Sequence, residues 1–272
     1  MRRDGIPVQN ADPIYYLLPY LIPKRYDSMN MITLEIPSDP MRNYIKKLRN
    51  EGQTISYMTI LLAAYIRTVY DFPKLNRFIK SKHIYERKEF CVSLVILKDD
   101  YETNSKMYFD LTDTILTVRD KVEKFISENR TSANSNETDK LIVSLMRFPV
   151  LLNIIFCMYR ILDTFGWLPK QLLDASPFHA SLLFSNLASI RTNHIYHHLP
   201  EFGTTSLSIT MGNMHEVPMR QNHEVKMKRC IPLGMVMDER ICSGKYFSQA
   251  YRRFLNYLNN PALLETEPSK QA

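Results

Sequence analysis

The stretch from Ser56 to Pro73 constrains the fold more than any other part of the chain. Met58, Leu61, Leu62, Tyr65, Ile66 and Val69 recur at helical spacing, Ser56 is suited to cap the start, and Pro73 ends the pattern. A helix this apolar belongs in a core, so other elements must cover it. Residues 90–97 (FCVSLVIL) and 107–111 read as strands, separated by a polar, turn-like stretch at 98–106. Together they predict an α/β or α+β layer.

The flanking segments extend this pattern. Ser38-Asp39-Pro40 opens a surface helix that stops near Gly52. Residues 112–128 read as an amphipathic helix, 129–139 as a loop rich in Ser, Thr and Asn, and 141–163 as an apolar helical segment inside a helical insertion at about 139–175. Strands are predicted at 180–187, 206–211 and 232–237, with 216–230 as a hairpin turning near Gln221-Asn222. A last helix places Tyr246, Phe247, Ala250, Tyr251, Phe254, Leu255 and Leu258 on one face and ends at Asn259-Asn260-Pro261. Neither a repeat nor a linker interrupts the pattern, so residues 1–272 are expected to form a single domain.

Composition narrows the function classes. With 45% hydrophobic and 23% charged residues, the chain is ordinary for a folded soluble protein. Lys and Arg exceed Asp and Glu by 35 to 28, but in short scattered pairs such as Lys46-Lys47, which predicts a solvated surface and no nucleic-acid partner. Four cysteines without a CxxC pair predict neither a disulfide framework nor a metal site, which fits a reducing cytoplasm, and the polar N-terminus predicts no secretory signal. Arg147 and Arg160 leave only 12 uncharged residues between them, where a membrane span needs ~20, so a buried helix is expected and membrane contact is not.

Several chemistries are excluded by their motifs. The seven glycines form no GxGxxG or Walker loop, and neither GxSxG nor HExxH occurs. His194, His197 and His198 cluster at a spacing that a metal would accept on a helix, but no carboxylate pattern completes the set, so a polar loop or hydrogen-bonded cluster is the expected reading.

Three local strings carry a family resemblance. The helix from Ser56 runs into Phe72-Pro73-Lys74-Leu75-Asn76, Leu183-Phe184-Ser185-Asn186-Leu187 forms a strand string, and Asp238-Glu239-Arg240-Ile241-Cys242-Ser243-Gly244 precedes the last helix. Their order and context resemble the catalytic domain of 2-oxoacid dehydrogenase dihydrolipoyl acyltransferases, and more distantly chloramphenicol acetyltransferase, over nearly the whole chain. The resemblance implies a two-layer sandwich with a mixed sheet and helices packed on one face. It also implies acyl-CoA or coenzyme A as substrate, small acyl donors and acceptors as partners, no metal, and a homotrimer with sites between subunits. The chain contains no lysine-bearing lipoyl domain, so a role as the core of a dehydrogenase complex is not expected.

In the resembled family a motif histidine takes the proton from a thiol and a serine hydroxyl stabilises the oxyanion. The serine matches Ser185, but Glu239 stands at the histidine position and Ser243 at the motif aspartate. A carboxylate near pKa ~4.3 facing a thiol near ~8.5 makes proton transfer uphill by about 5–6 kcal/mol. Burial of Glu239 would reduce the mismatch and pairing with adjacent Arg240 would restore it. Two readings follow: an acyltransferase whose base is Glu239 or one of His194, His197 and His198, or a binding or scaffold protein that keeps the fold without turnover.

Overall fold

A computed structural model describes residues 2–98, 101–131, 147–221 and 223–269. A mixed seven-stranded sheet carries the layer, and strands and helices are numbered here along the chain. The strands are β2 (Met29–Pro37), β5 (Phe90–Lys98), β6 (Tyr101–Phe109), β7 (Leu182–Asn186), β8 (Leu207–Met211), β9 (His215–Gln221) and β10 (Glu224–Asp238), in the order β2-β10-β8-β7-β5-β6 with β9 paired to the first half of β10. β7 runs parallel to β5 and β8, and the other pairings are antiparallel. A small sheet of β1 (Gly5–Pro7), β4 (His83–Arg87) and β3 (Arg77–Lys80) sits beside it.

Alternation along the strands divides the large sheet into two unlike faces. Val92, Leu94, Leu182, Phe184, Leu207, Ile209, Leu233 and Met235 join one buried apolar cluster with the helices α2 (Asp39–Asn50), α3 (Tyr57–Asp71), α4 (Ile115–Thr131) and α7 (Gly244–Asn259). The intervening residues Ser93, Ser185, Ser208, Thr210 and Gly234 point to the opposite face. Ser56 caps α3 by accepting a hydrogen bond from the Thr59 amide at 3.1 Å, and α3 is buried along most of its length, as its apolar pattern predicts.

The boundaries differ from the sequence reading in instructive places. The polar 98–106 stretch is mostly strand β6, because an edge strand needs only one buried face and tolerates Glu, Thr, Asn and Lys between its apolar residues. The second arm of the hairpin and the 232–237 strand are one long β10 that continues through Pro232. The Pro232 carbonyl accepts from the Gly212 amide at 2.9 Å, so its donor-less nitrogen faces the side on which β8 has ended. β1, β2, β3, β4 and α1 (Pro13–Leu21) lack a pattern strong enough to predict them. Of the apolar segment, the described part forms α5 (Pro149–Phe165), followed by α6 (Lys170–Ala175); it is not the buried helix expected, since Val150, Ile154, Phe156 and Met158 are exposed and only Asp163 is buried. Residues 132–146, with most of the expected loop and the segment's start, lie outside the described residues, as does Asn222. Among the described residues no helix is long and apolar enough to cross a membrane.

α5 is anchored by a charge. Asp163 is fully buried and meets Arg2 at 3.0 Å, His179 at 3.2 Å and the Lys80 ammonium. Burial alone would raise this carboxyl, but the contact with His179 and the charge of Lys80 outweigh it and hold the group below the usual carboxylate range. A carboxyl lowered on folding contributes stability that is complete above its unfolded pKa and is lost as pH falls through the folded value. Urea midpoints should therefore decline steadily below about pH 4. Asp163→Asn should cost about 3–5 kcal/mol at neutral pH, because it strands buried cations, and should flatten the acid limb. An unchanged acid limb in that variant would show that Asp163 is not the titrating anchor.

Candidate active site

The hydroxyl face of the sheet is covered by its own chain. After β7, a short 3-10 turn at Leu187–Ile190 leads into an extended strap over residues 191–200, which crosses the sheet on the side away from the helices. Thr210 Oγ accepts from the Ile195 amide at 3.2 Å and donates to the Ile195 carbonyl, and Ser208 Oγ donates to the His197 carbonyl at 3.4 Å. At two positions the strap lies so close that only glycine fits beneath it. A Cβ on Gly212 would stand 2.3 Å from the His194 backbone nitrogen, and one on Gly234 would stand 2.5 Å from the Ile195 carbonyl oxygen.

This arrangement brings Ser185 and His197 together. Ser185 Oγ lies 3.0 Å from His197 Nε2, and Ser185 is 1% exposed. The three histidines do not share one helical face, because the strap is extended. His194 Nε2 lies 3.0 Å from Thr33 Oγ, beside Tyr196, and His198 is exposed. No group of three His, Cys, Asp or Glu side chains suited to a metal exists among the described residues.

Glu239 lies elsewhere in the same chain. Ser185 is in register with Thr210 and Thr210 with Gly234, and Glu239 follows five residues later beyond the end of β10. Two strand spacings and five residue rises separate Glu239 from Ser185 by on the order of 20 Å. Glu239 accepts a hydrogen bond from Asn30 Nδ2 at 2.9 Å, while Arg240 forms a bidentate pair with Asp238, at 2.8 and 2.7 Å, instead of pairing with Glu239. Ser243 is exposed and caps α7 by accepting from the Tyr246 amide at 3.2 Å.

The residues that hold this motif segment in place escape the sequence reading. Asp238 is fully buried, accepts from Ser28 Oγ at 3.0 Å, and lies 3.6 Å from the Arg25 guanidinium, which is itself 1% exposed. The only hint in the sequence is the Asp-Glu-Arg string at the end of an apolar strand. Nothing local shows that Arg25, more than two hundred residues earlier, completes the cluster.

A cavity of about 510 Å³ opens where β7 and β8 end. It is lined by Tyr57, Met58, Asn186, Met211, Asn213 and Arg229, among others. Its wall includes the residue that follows Ser185. It combines apolar side chains with one cation, a lining suited to an elongated ligand with an anionic group.

Known proteins share this architecture. No family model matches the chain, and no curated protein matches it in sequence. Among solved structures, a probable dihydrolipoamide acetyltransferase from Listeria monocytogenes 4b F2365 superposes with a TM-score of 0.61 at 11% identity, covering 98% of each chain. The cubic core of a pyruvate dehydrogenase multienzyme complex gives 0.61 at 10% identity over 94% of each chain. A chloramphenicol acetyltransferase gives 0.53 at 13% identity over 93% of this chain and 99% of that one. The chain has the chloramphenicol acetyltransferase-like α/β fold.

The glycine contacts make the strap testable. Gly234→Ala should destabilise the protein by about 1–3 kcal/mol, since a backbone carbonyl must move to admit the methyl group. It should also shift the His197 imidazole resonances in NMR as the strap lifts from Ser185. Unchanged His197 signals in a folded Gly234→Ala protein would mean that this contact does not set the strap.

Proposed function

We propose that this protein is an acyltransferase in which His197 supplies the general base and Ser185 the hydrogen bond to the developing oxyanion. The 3.0 Å Ser185–His197 contact carries this reading, since it places an imidazole beside the hydroxyl that the family resemblance assigns to the site. The reaction is transfer from acyl-CoA to a thiol or another small acceptor. The acceptor proton passes to His197 as the sulfur attacks the acyl carbon, the oxyanion accepts a hydrogen bond from Ser185, and collapse expels the coenzyme A thiolate, which takes the proton back from His197. An imidazole titrates near neutral pH and suits this exchange far better than the carboxylate of Glu239. Because Ser185 is almost fully buried, the strap must lift to admit the acyl carbonyl.

The cavity at the ends of β7 and β8 supports an entry route for the donor's pantetheine arm, with Arg229 on its wall. The likeness to the core of a dehydrogenase complex supports assembly as a homotrimer, with Glu239 of one subunit facing the Ser185 strand of the next. Light scattering that gives a monomer mass would overturn that assembly.

Acyl transfer is checked by coenzyme A release from acetyl-CoA across a panel of thiol, amine and alcohol acceptors. His197→Ala should lower kcat/KM by about 10²–10⁴-fold, and Ser185→Ala by about 10²–10³-fold. Glu239→Gln should change it by less than about threefold, because that side chain is engaged with Asn30 and is no match for a thiol.

The burial of Ser185, together with Glu239 and Ser243 at the motif positions, favours a second reading as a non-catalytic binding or scaffold protein. No release above background with any acceptor in wild type, combined with acetyl transfer gained by Glu239→His with Ser243→Asp, would select it.

A further inference from the structure

At the amino ends of the parallel strands, on the far side of the sheet from the β7 and β8 carboxyl ends, the chain builds a cavity of about 240 Å³ among Arg87, Cys91, Lys106, Tyr108, Leu173 and His179. Arg3, Lys88 and Lys170 also border it, so five cations face three carboxylates, those of Asp4, Glu89 and Asp174. Each carboxylate is already engaged. Asp4 is held by Arg2 at 2.9 Å, Glu89 by Lys170 at 3.3 Å, and Asp174 accepts the Tyr108 hydroxyl proton in a hydrogen bond.

Among the described residues the two innermost cations, Arg87 and Lys106, make no contact ion pair, and the charges of Asp4 and Asp174 reach them only from a distance. Arg87 donates to the Thr204 carbonyl and hydroxyl, both at 2.9 Å, and to the His179 carbonyl at 3.4 Å, and it stands over the Phe78 ring. Lys106 donates to the Leu173 carbonyl at 2.5 Å. Among the described residues neither has a carboxylate within ion-pair distance. Burial pushes both cations down from their ordinary values, Arg87 and Lys106 alike. Partly desolvated cations persist in folded proteins when a partner neutralises them. Here Asp4 and Asp174 offset the burial only at longer range, and no carboxylate among the described residues is in contact with either cation.

The cavity also has an outlet. A second hollow of about 750 Å³ shares Arg87, Lys88, Tyr108 and Lys170 with it and runs outward along Phe109, Asp110 and Leu111. A charged head could be seated inside while an organic remainder extended along this hollow.

We propose that this cavity is a binding site for a small phosphomonoester, with its phosphate seated between Arg87 and Lys106 and its organic part in the adjoining hollow. A phosphate matches the site because a guanidinium and an ammonium together can donate to several of its oxygens at once. The site lies at the opposite end of β5 and β7 from Ser185's strand terminus, so it is independent of the acyl-transfer reading. Its ligand could act as an effector or simply stabilise the fold.

Isothermal titration of the full chain with glycerol 3-phosphate, in low-salt zwitterionic buffer with glycerol as control, tests it. The expected result is saturable 1:1 binding of glycerol 3-phosphate that weakens with salt, and no heat from glycerol. Lys106→Met should weaken binding by about tenfold or more, the loss of one charge-assisted hydrogen bond, and Lys106→Arg should retain most of it. Absence of saturable binding to wild type, or unchanged affinity in a folded Lys106→Met protein, would overturn the proposal. Should that variant not fold, the exposed pair Arg3→Ala with Lys88→Ala at the mouth replaces it, and unchanged affinity there overturns the proposal equally.

Discussion

The structure depends on the two-residue alternation of its central strands. Each of β5, β7, β8 and β10 presents large apolar side chains to the helices and places a serine, threonine or glycine among the residues of the other side. The aliphatic face drives folding by burying apolar surface. The small hydroxyl face cannot do so, and it is stable only because the strap at 191–200 brings backbone groups down to meet it. Ser185 and His197 are one contact within that polar seam, so the candidate site is part of how the sheet is closed.

Two buried ionic centres locate the parts that the sheet does not. Asp163 ties α5 to the N-terminal segment and the small sheet through Arg2 and Lys80, and Asp238 ties the end of β10 to Ser28, Arg25 and Arg240. Both are fully buried carboxylates surrounded by cations, an arrangement that contributes specificity of position because a lone partner would be costly. The cavity near Arg87 and Lys106 departs from that arrangement, as among the described residues these two cations touch no carboxylate and Asp4 and Asp174 act on them only at longer range.

Much of the architecture was legible in the sequence because burial imposes periodicity. The α3 segment, the run at Phe90, the strands around Ser185 and Ser206, the β9–β10 hairpin and the last helix all carry apolar spacing of the right period. β2, the small sheet and α1 were not legible. Their strands are short or partly exposed, and Met29–Pro37 mixes Asn, Thr and Glu with its apolar residues. Of the proposed site, the strand string singled out Ser185 by resemblance alone. The surroundings of Glu239 were not legible, since adjacency to Arg240 suggested a pairing that Asp238 takes instead.

By itself the sequence determined the strongly patterned elements, such as α3, the strands around Phe90, Ser185 and Ser206 and the last helix, because burial of one face fixes local spacing. Only the tertiary structure decided that His197 meets Ser185, that Asp238 gathers arginines from both ends of the chain, and that Arg87 and Lys106 face a cavity without a contact ion pair. Those outcomes depend on an extended strap folding back over its own sheet and on distant strands reaching one register. Hydrogen bonds between residues far apart in the chain leave no periodic trace in the sequence.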